Sequence, residues 1–306
     1  MRVDPQNIFN SRYVVGMAYW LARVFPPTGG YKLAAYLSDR VSERERWSMV
    51  QAVRANQWVI NNGKIGPTQL DQQVKKTFRH TGKCIYDLYH NIKDPKRLDD
   101  WVEINPRVAA LLAEYRAGKG SGLVVVGAHM SNFDLVAQYV ARQGFNAQVI
   151  TLPDFDVSGY KWQNDLRRNS GLDITPASVS AIRKAYETLD QGGIVLSGLD
   201  RPLEGGKYRP SFFGRPASLP TFYVNFALKA KVPVMVAVAN WCRDGKYHIR
   251  LSDPIYMQPY ADRDDEIIQN AERVLRVAEA FICKAPEQWL MFYPVWPEVQ
   301  PPPTIH

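Results

Sequence analysis

The chain has little of what builds disulfide, metal or hydrolase sites. Its three cysteines, Cys84, Cys242 and Cys283, are scattered over 306 residues with no paired spacing. A disulfide framework is unsupported, and buried thiols in a reducing compartment are the expectation. Histidines number five, and His80, His90 and His248 do not stand at metal-ligand spacing from the cysteines, so no metal site is expected. There is no G-x-S-x-G, hence no hydrolase nucleophile elbow. The glycine-rich run GKGSG, Gly118–Gly122, precedes an apolar segment instead of following one and matches no phosphate-loop pattern. It reads as a flexible connection. Long apolar runs are missing too. Tyr13–Ala22 stops at Arg23 and Pro26-Pro27, well short of the roughly 20 residues a bilayer requires. No small-residue cleavage site follows it, so neither a spanning helix nor a signal peptide is expected.

Acidic residues are the scarcer charge, 30 against 38 Lys and Arg, for a net charge of +8. That excess favours an anionic partner: nucleic acid, anionic lipid or a phosphorylated cofactor. The basic residues are spread along the chain with no basic tail, which weighs against nucleic acid.

What is present centres on LVVVGAHMSNFDLVAQYV, Leu123–Val140. Leu123–Val126 reads as a buried strand, Gly127-Ala128 as a turn, and Ser131 and Asn132 as N-caps of a helix over Phe133–Arg142. His129 then stands at a strand-to-helix corner, with Asp134 in the first helical turn. The carboxylate can fold back to one imidazole nitrogen, leaving the other to take a substrate proton. The bland alternative is a structural histidine and an ordinary first-turn acid. The carboxyl end of a strand, where α/β proteins bind ligands, favours the functional reading.

Around this corner the pattern is helical up to Gly118 and alternating afterwards. Residues 1–24 place Phe9, Tyr13, Met17, Trp20 and Leu21 between Arg2, Arg12 and Arg23, which suits either a helix in a membrane interface or one docked on the main domain. Helices follow over Tyr31–Leu37, over Ser42–Ile60 with a Ser42/Glu45 capping box, over Leu70–Tyr89 and over Val108–Ala117. Then come strands at Leu123–Ala128, Ala147–Thr151, Leu172–Ile174, Ile194–Leu199 and Val232–Asn240, alternating with helices, and Tyr247–Leu251 as an antiparallel neighbour. The expectation is an α/β fold, a mixed central β-sheet flanked by helices on both faces. A helical segment, residues 1–117, packs on the core, residues 118–306, as one integrated domain.

Asp200-Arg201 follows the strand Ile194–Leu199. If that strand neighbours the His129 strand, Asp200 holds the imidazole or a second substrate, and Arg201 forks onto a phosphate or carboxylate. Tyr208–Leu219, YRPSFFGRPASL, sets Lys207, Arg209 and Arg215 around Phe212-Phe213. It reads either as an edge hairpin with Phe in the core or as a basic, aromatic wall near a phosphate and an acyl chain.

Taken together, His129-Met-Ser-Asn-Phe-Asp134, Leu199-Asp200-Arg201, Phe212-Phe213-Gly214 with Pro216-Ala217, Pro233 in its apolar strand, and Pro286-Glu-Gln-Trp-Leu with Trp296 resemble the lysophospholipid acyltransferase superfamily. The chain is most similar to the branch of lipid A late acyltransferases and the phosphatidylinositol mannoside acyltransferase, over roughly residues 70–296. Two departures are visible. Many lipid A members begin with a spanning helix, and the branch often carries Glu where this chain has Asp134 or Asp200. The resemblance implies a glycerol-3-phosphate acyltransferase-like fold. It implies no cofactor beyond the co-substrate, acyl-CoA or acyl-carrier protein, and a glycolipid or phospholipid hydroxyl as acceptor. His129 would be the general base and Asp134 the acid that fixes its tautomer. Asp200 would be a supporting carboxylate. Ser131, Asn132, Arg201, Lys207, Arg209, Phe212, Phe213 and Arg215 would contact substrate. The setting implied is peripheral, on an anionic surface at the cytoplasmic face of the inner membrane. A thioesterase using the same base, and a non-catalytic lipid- or carrier-binding protein, are the alternatives from other classes.

Overall fold

In the computed structural model, residues 11–91, 95–145, 147–151 and 158–304 are described. Arg2 and Phe9, part of the expected interfacial face, lie outside them. Helices α1 (Arg12–Val24), α2 (Pro27–Ser42), α3 (Ser48–Ile60) and α4 (Pro67–Asn91) come first. Two differ from the sequence reading. Pro26 and Pro27 end one helix and start the next, because proline suits a first helical turn, so α2 begins four residues earlier than expected. Ser42 does not cap a helix start. Its Oγ donates to the Asp39 carbonyl 2.8 Å away and closes α2, and the next helix starts only at Ser48.

Next come α5 (Pro95–Trp101), β1 (Val102–Ile104), α6 (Pro106–Arg116), β2 (Leu123–Gly127), α7 (Phe133–Arg142), β3 (Ala147–Thr151), α8 (Ser158–Asn169), β4 (Asp173–Pro176), α9 (Val179–Asp190) and β5 (Ile194–Gly198). The chain closes with β6 (Ser211–Phe212), β7 (Arg215–Pro216), α10 (Phe222–Ala230), β8 (Val234–Trp241), β9 (Tyr247–Leu251) and α11 (Arg263–Lys284). Seven strands form one mixed sheet in the order β1-β9-β8-β2-β5-β3-β4, with β8 and β9 antiparallel. The short β1, from the segment before the core, adds to the sheet edge beside β9.

Central β2 reads LVVV because it is buried on both faces, and β-branched side chains suit such a strand. Its residues alternate between two cores. Val124 and Val126 join α9, α10, α11 and the C-terminal Trp289 and Trp296. Leu123 and Val125 face α6 and α7. β2 pairs with β5 in parallel, Gly127 opposite Gly198. The residues after these two strand ends, His129 and Asp200, therefore emerge side by side.

Candidate active site

His129 is delivered by the turn from β2 into α7. Asn132 caps that helix, its Oδ1 accepting from the Leu135 N–H at 3.3 Å. The corner is tied from several directions. The Leu290 N–H donates to the His129 carbonyl at 2.8 Å and the Ser131 N–H to the Gln288 carbonyl at 2.7 Å. Asn132 Nδ2 donates to the Cys84 carbonyl of α4 at 2.9 Å.

The imidazole is bound by Asp200. Nδ1 lies 2.6 Å from Asp200 Oδ1, and the His129 backbone N–H donates to Oδ2 at 2.8 Å. Trp289 Nε1 donates to the same Oδ2 at 2.8 Å. Asp200 is fully buried, so these three donors replace the water it has lost. With Nδ1–H committed to the carboxylate, Nε2 keeps its lone pair, which a proton acceptor needs. The ring sits edge-on to Phe133 and over Gly198, where a Cβ would lie 3.1 Å from His129 Cε1. Glycine at 198 thus gives the ring its place.

Asp134 does not fold back to His129. It makes a two-pronged ion pair with Arg167 of α8, 2.6 Å from Nε and 2.9 Å from Nη2. Arg167 Nη1 also donates to Asn164 Oδ1 at 3.0 Å. The fork geometry of guanidinium and carboxylate favours this pairing. Asp200 is therefore the carboxylate that holds the imidazole.

His129 opens onto a cavity of about 540 Å³. Its floor is one face of the sheet, including Val125, Leu196 and Val149, and its roof is α6 and α7 with Leu111, Val136 and Val140. Space remains there because the facing positions are small: Gly127, Ala137, Ala147, Gly198, Ala237 and Ala239. Protein interiors rarely leave such a void, and an apolar pocket of this size with a few converging polar groups is the form of a ligand site. Ser131, Asn132, Asp134, Asn164, Arg167, Arg201 and Tyr293 supply those groups. Arg201 stacks on Tyr293, 4.3 Å from the ring centroid, and donates to its hydroxyl at 2.9 Å.

The basic, aromatic segment takes the first of its two readings, a hairpin with Phe in the core, and not the substrate-contacting wall. Phe212 is fully buried against Trp289 and Trp296. Phe213 and Gly214 both take positive φ, the two-residue turn that closes the β6–β7 hairpin. Lys207 pairs with Asp264 at 2.6 Å, Arg209 is exposed, and the exposed Arg215 guanidinium lies 5.9 Å from the Trp58 ring centroid. None of these residues lines the cavity. The hairpin instead buttresses Trp289, and through it Asp200. Sequence reasoning missed Arg167, Asn164 and Tyr293 as partners of the site, since nothing local links them to the His129 corner.

Over residues 64–298 the chain matches the family model described as bacterial lipid A biosynthesis acyltransferase. This match defines an O-acyltransferase of lipids. The chain belongs to the bacterial lipid A biosynthesis acyltransferase family, whose members are membrane-associated and use a lipid acceptor and an acyl donor. No curated protein matches the chain. Among the described residues, no helix is long and apolar enough to cross a membrane.

Proposed function

We propose that the chain moves a fatty acyl group from a thioester, acyl-CoA or acyl-carrier protein, to a hydroxyl of a glycolipid or phospholipid, with no acyl-enzyme. The observation that carries this reading is His129 opening onto an apolar cavity while the buried Asp200 holds its Nδ1. The cavity takes the acyl chain. His129 Nε2 accepts the acceptor hydroxyl proton as that oxygen attacks the thioester carbonyl. The C–S bond then breaks, and the proton passes from the imidazolium to the leaving thiolate. First-turn N–H groups of α7 and the Arg201 guanidinium are the donors for the developing oxyanion. Asp134 keeps Arg167 at the cavity wall, where the cation suits a phosphate of donor or acceptor.

The experiment adds palmitoyl-CoA and a total polar lipid extract to the purified chain and follows free thiol and lipid masses. Lipid-dependent thiol release with a matching acyl-lipid mass is expected. Thiol release with only free fatty acid would replace the reading with a thioesterase. No release from palmitoyl-CoA or an acyl-carrier-protein donor would leave a binding protein.

The site works at the surface of a membrane, the cytoplasmic face of the inner membrane in this reading. Helix α1 buries Val15 and Ala22 against α4, whose Tyr86 and Tyr89 join them. It exposes Tyr13, Met17, Trp20 and Val24 along the opposite stripe. It also packs on α8, which carries Asn164 and Arg167 to the cavity. An apolar, aromatic stripe on a basic protein is suited to an anionic interface. The double substitution Met17→Glu and Trp20→Glu is expected to weaken binding to anionic vesicles by roughly 10-fold or more, from the lost apolar burial alone. Co-sedimentation reads this, and unchanged binding would move the contact to another face.

A further inference from the structure

Behind the His129 corner stands a second histidine that the proposed reaction leaves without a task. His80, on α4, places Nε2 2.8 Å from Ser131 Oγ, with Cys84 Sγ 3.5 Å from the same nitrogen. Ser131 is fully buried, lines the cavity and has φ of +48°. That left-handed backbone is unfavourable for any residue with a Cβ and persists only where the surroundings impose it. Its own N–H is engaged by the Gln288 carbonyl. The next residue, Asn132, is bonded to Cys84. Helix α4 thus grips the strained corner through two side-chain bonds in successive residues, one of them made by His80.

A serine on a strand-to-helix turn with an imidazole on its oxygen has the outline of a nucleophile and its base. The surroundings argue against that chemistry. Burial, and then the Lys83 cation, pull His80 down to about 4, so it stays uncharged at neutral pH and resists taking the serine proton. Among the described residues no carboxylate hydrogen-bonds His80, whereas His129 has Asp200. An imidazole that holds a hydroxyl without titrating is suited to fixing geometry.

We propose that His80 is a positioning residue for acyl transfer: its bond to Ser131 holds the left-handed corner that sets His129 and the first turn of α7 in the cavity. The inference rests on the acyltransferase reading of the same site. Losing the anchor lets the corner relax toward an ordinary backbone, which turns His129 away from the acceptor hydroxyl without emptying the acyl cavity. Turnover then suffers more than binding. A glycine at 131 adopts the left-handed backbone without a Cβ penalty and has no need of the anchor.

The test measures palmitoyl-CoA turnover with a total polar lipid extract for His80→Ala, His80→Gln and Ser131→Ala, and for His80→Ala in a Ser131→Gly background. The His129 Cε1–H resonance is recorded for each by NMR. His80→Ala and Ser131→Ala are each expected to lower kcat about 10–100-fold, the scale of a small misplacement of a reacting group. The KM for palmitoyl-CoA should stay within about threefold in both, since the cavity is intact. His80→Gln, whose amide can still bond the serine, should recover most of the loss, and the His129 resonance should shift in the two alanine variants only. Against Ser131→Gly, His80→Ala should cost no more than about threefold. Ser131→Ala removes only a hydroxyl, so it carries the test if His80→Ala does not fold. An equal His80→Ala effect in both backgrounds, a loss confined to KM, or an undisturbed His129 resonance would overturn the proposal. A wild type without turnover would sink the acyltransferase reading, and the NMR responses would still decide the positioning role.

Discussion

His129→Ala is expected to reduce lipid-dependent acyl transfer by roughly 10²–10⁴-fold, the range a positioned base contributes, with the KM for the thioester donor little changed. The argument starts from what the ring does in the fold. It is partly exposed, with 28% of its side-chain surface open, and it lines the cavity. Its removal takes away one of three hydrogen bonds on Asp200 and leaves the backbone N–H at 129 and Trp289 Nε1 in place. The buried carboxylate is then under-satisfied, which costs about 1–3 kcal/mol. The variant should therefore melt a few degrees lower and stay folded. Thermal denaturation beside steady-state kinetics checks both halves. A variant that keeps its melting point and a tenth or more of its turnover would remove His129 from the proton path and leave the cavity as a binding site only.

The corner that carries this histidine was legible in the sequence because its determinants are local. Apolar Leu123–Val126, the small Gly127-Ala128 and the capping Asn132 place strand, turn and helix at β2 and at α7, Phe133–Arg142, which has the bounds read from the sequence. That Asp200 comes to the same place depended on β2 and β5 being neighbours, a condition the sequence could state and the sheet meets. The partner of Asp134 was not legible. A carboxylate five residues after a histidine looks like its partner when only local spacing is available. The competing Arg167 stands 33 residues on, in a different helix. Lys207, Arg209 and Arg215 misled for the opposite reason. They are near Asp200 in sequence, but the hairpin they flank packs on α11, with the Ser211 N–H on Glu272 and Lys207 on Asp264. The cavity had no sequence signature, because it is made by small residues that five elements bring together. Each of Gly127, Ala137, Ala147, Gly198 and Ala237 is unremarkable where it stands in the chain.

Asp200 and Asp134 should separate sharply when each is changed to asparagine. Three donors converge on the Asp200 carboxylate, the imidazole Nδ1–H on one oxygen and the 129 N–H with Trp289 Nε1–H on the other. An amide offers one oxygen and one NH₂. If its oxygen serves the backbone and the tryptophan, its NH₂ faces Nδ1, which must then accept, and the ring proton moves to Nε2. The base is blocked by its own tautomer, and no carboxylate remains to stabilise the imidazolium. If the amide turns over, its NH₂ meets two donors inside the core. Either way Asp200→Asn is expected to lower kcat by about 10²–10⁴-fold, with a stability cost of about 1–3 kcal/mol. Asp134→Asn keeps one acceptor for Arg167 and leaves the His129–Asp200 pair untouched, so roughly a tenfold loss or less is expected, the scale of a partly exposed ion pair. It should appear chiefly in KM. The two variants have the same size and the same charge change, so comparing them isolates position. The reverse order, with Asp134→Asn the more damaging in kcat, would mean that the acid–base partnership re-forms on Asp134 when substrate displaces Arg167.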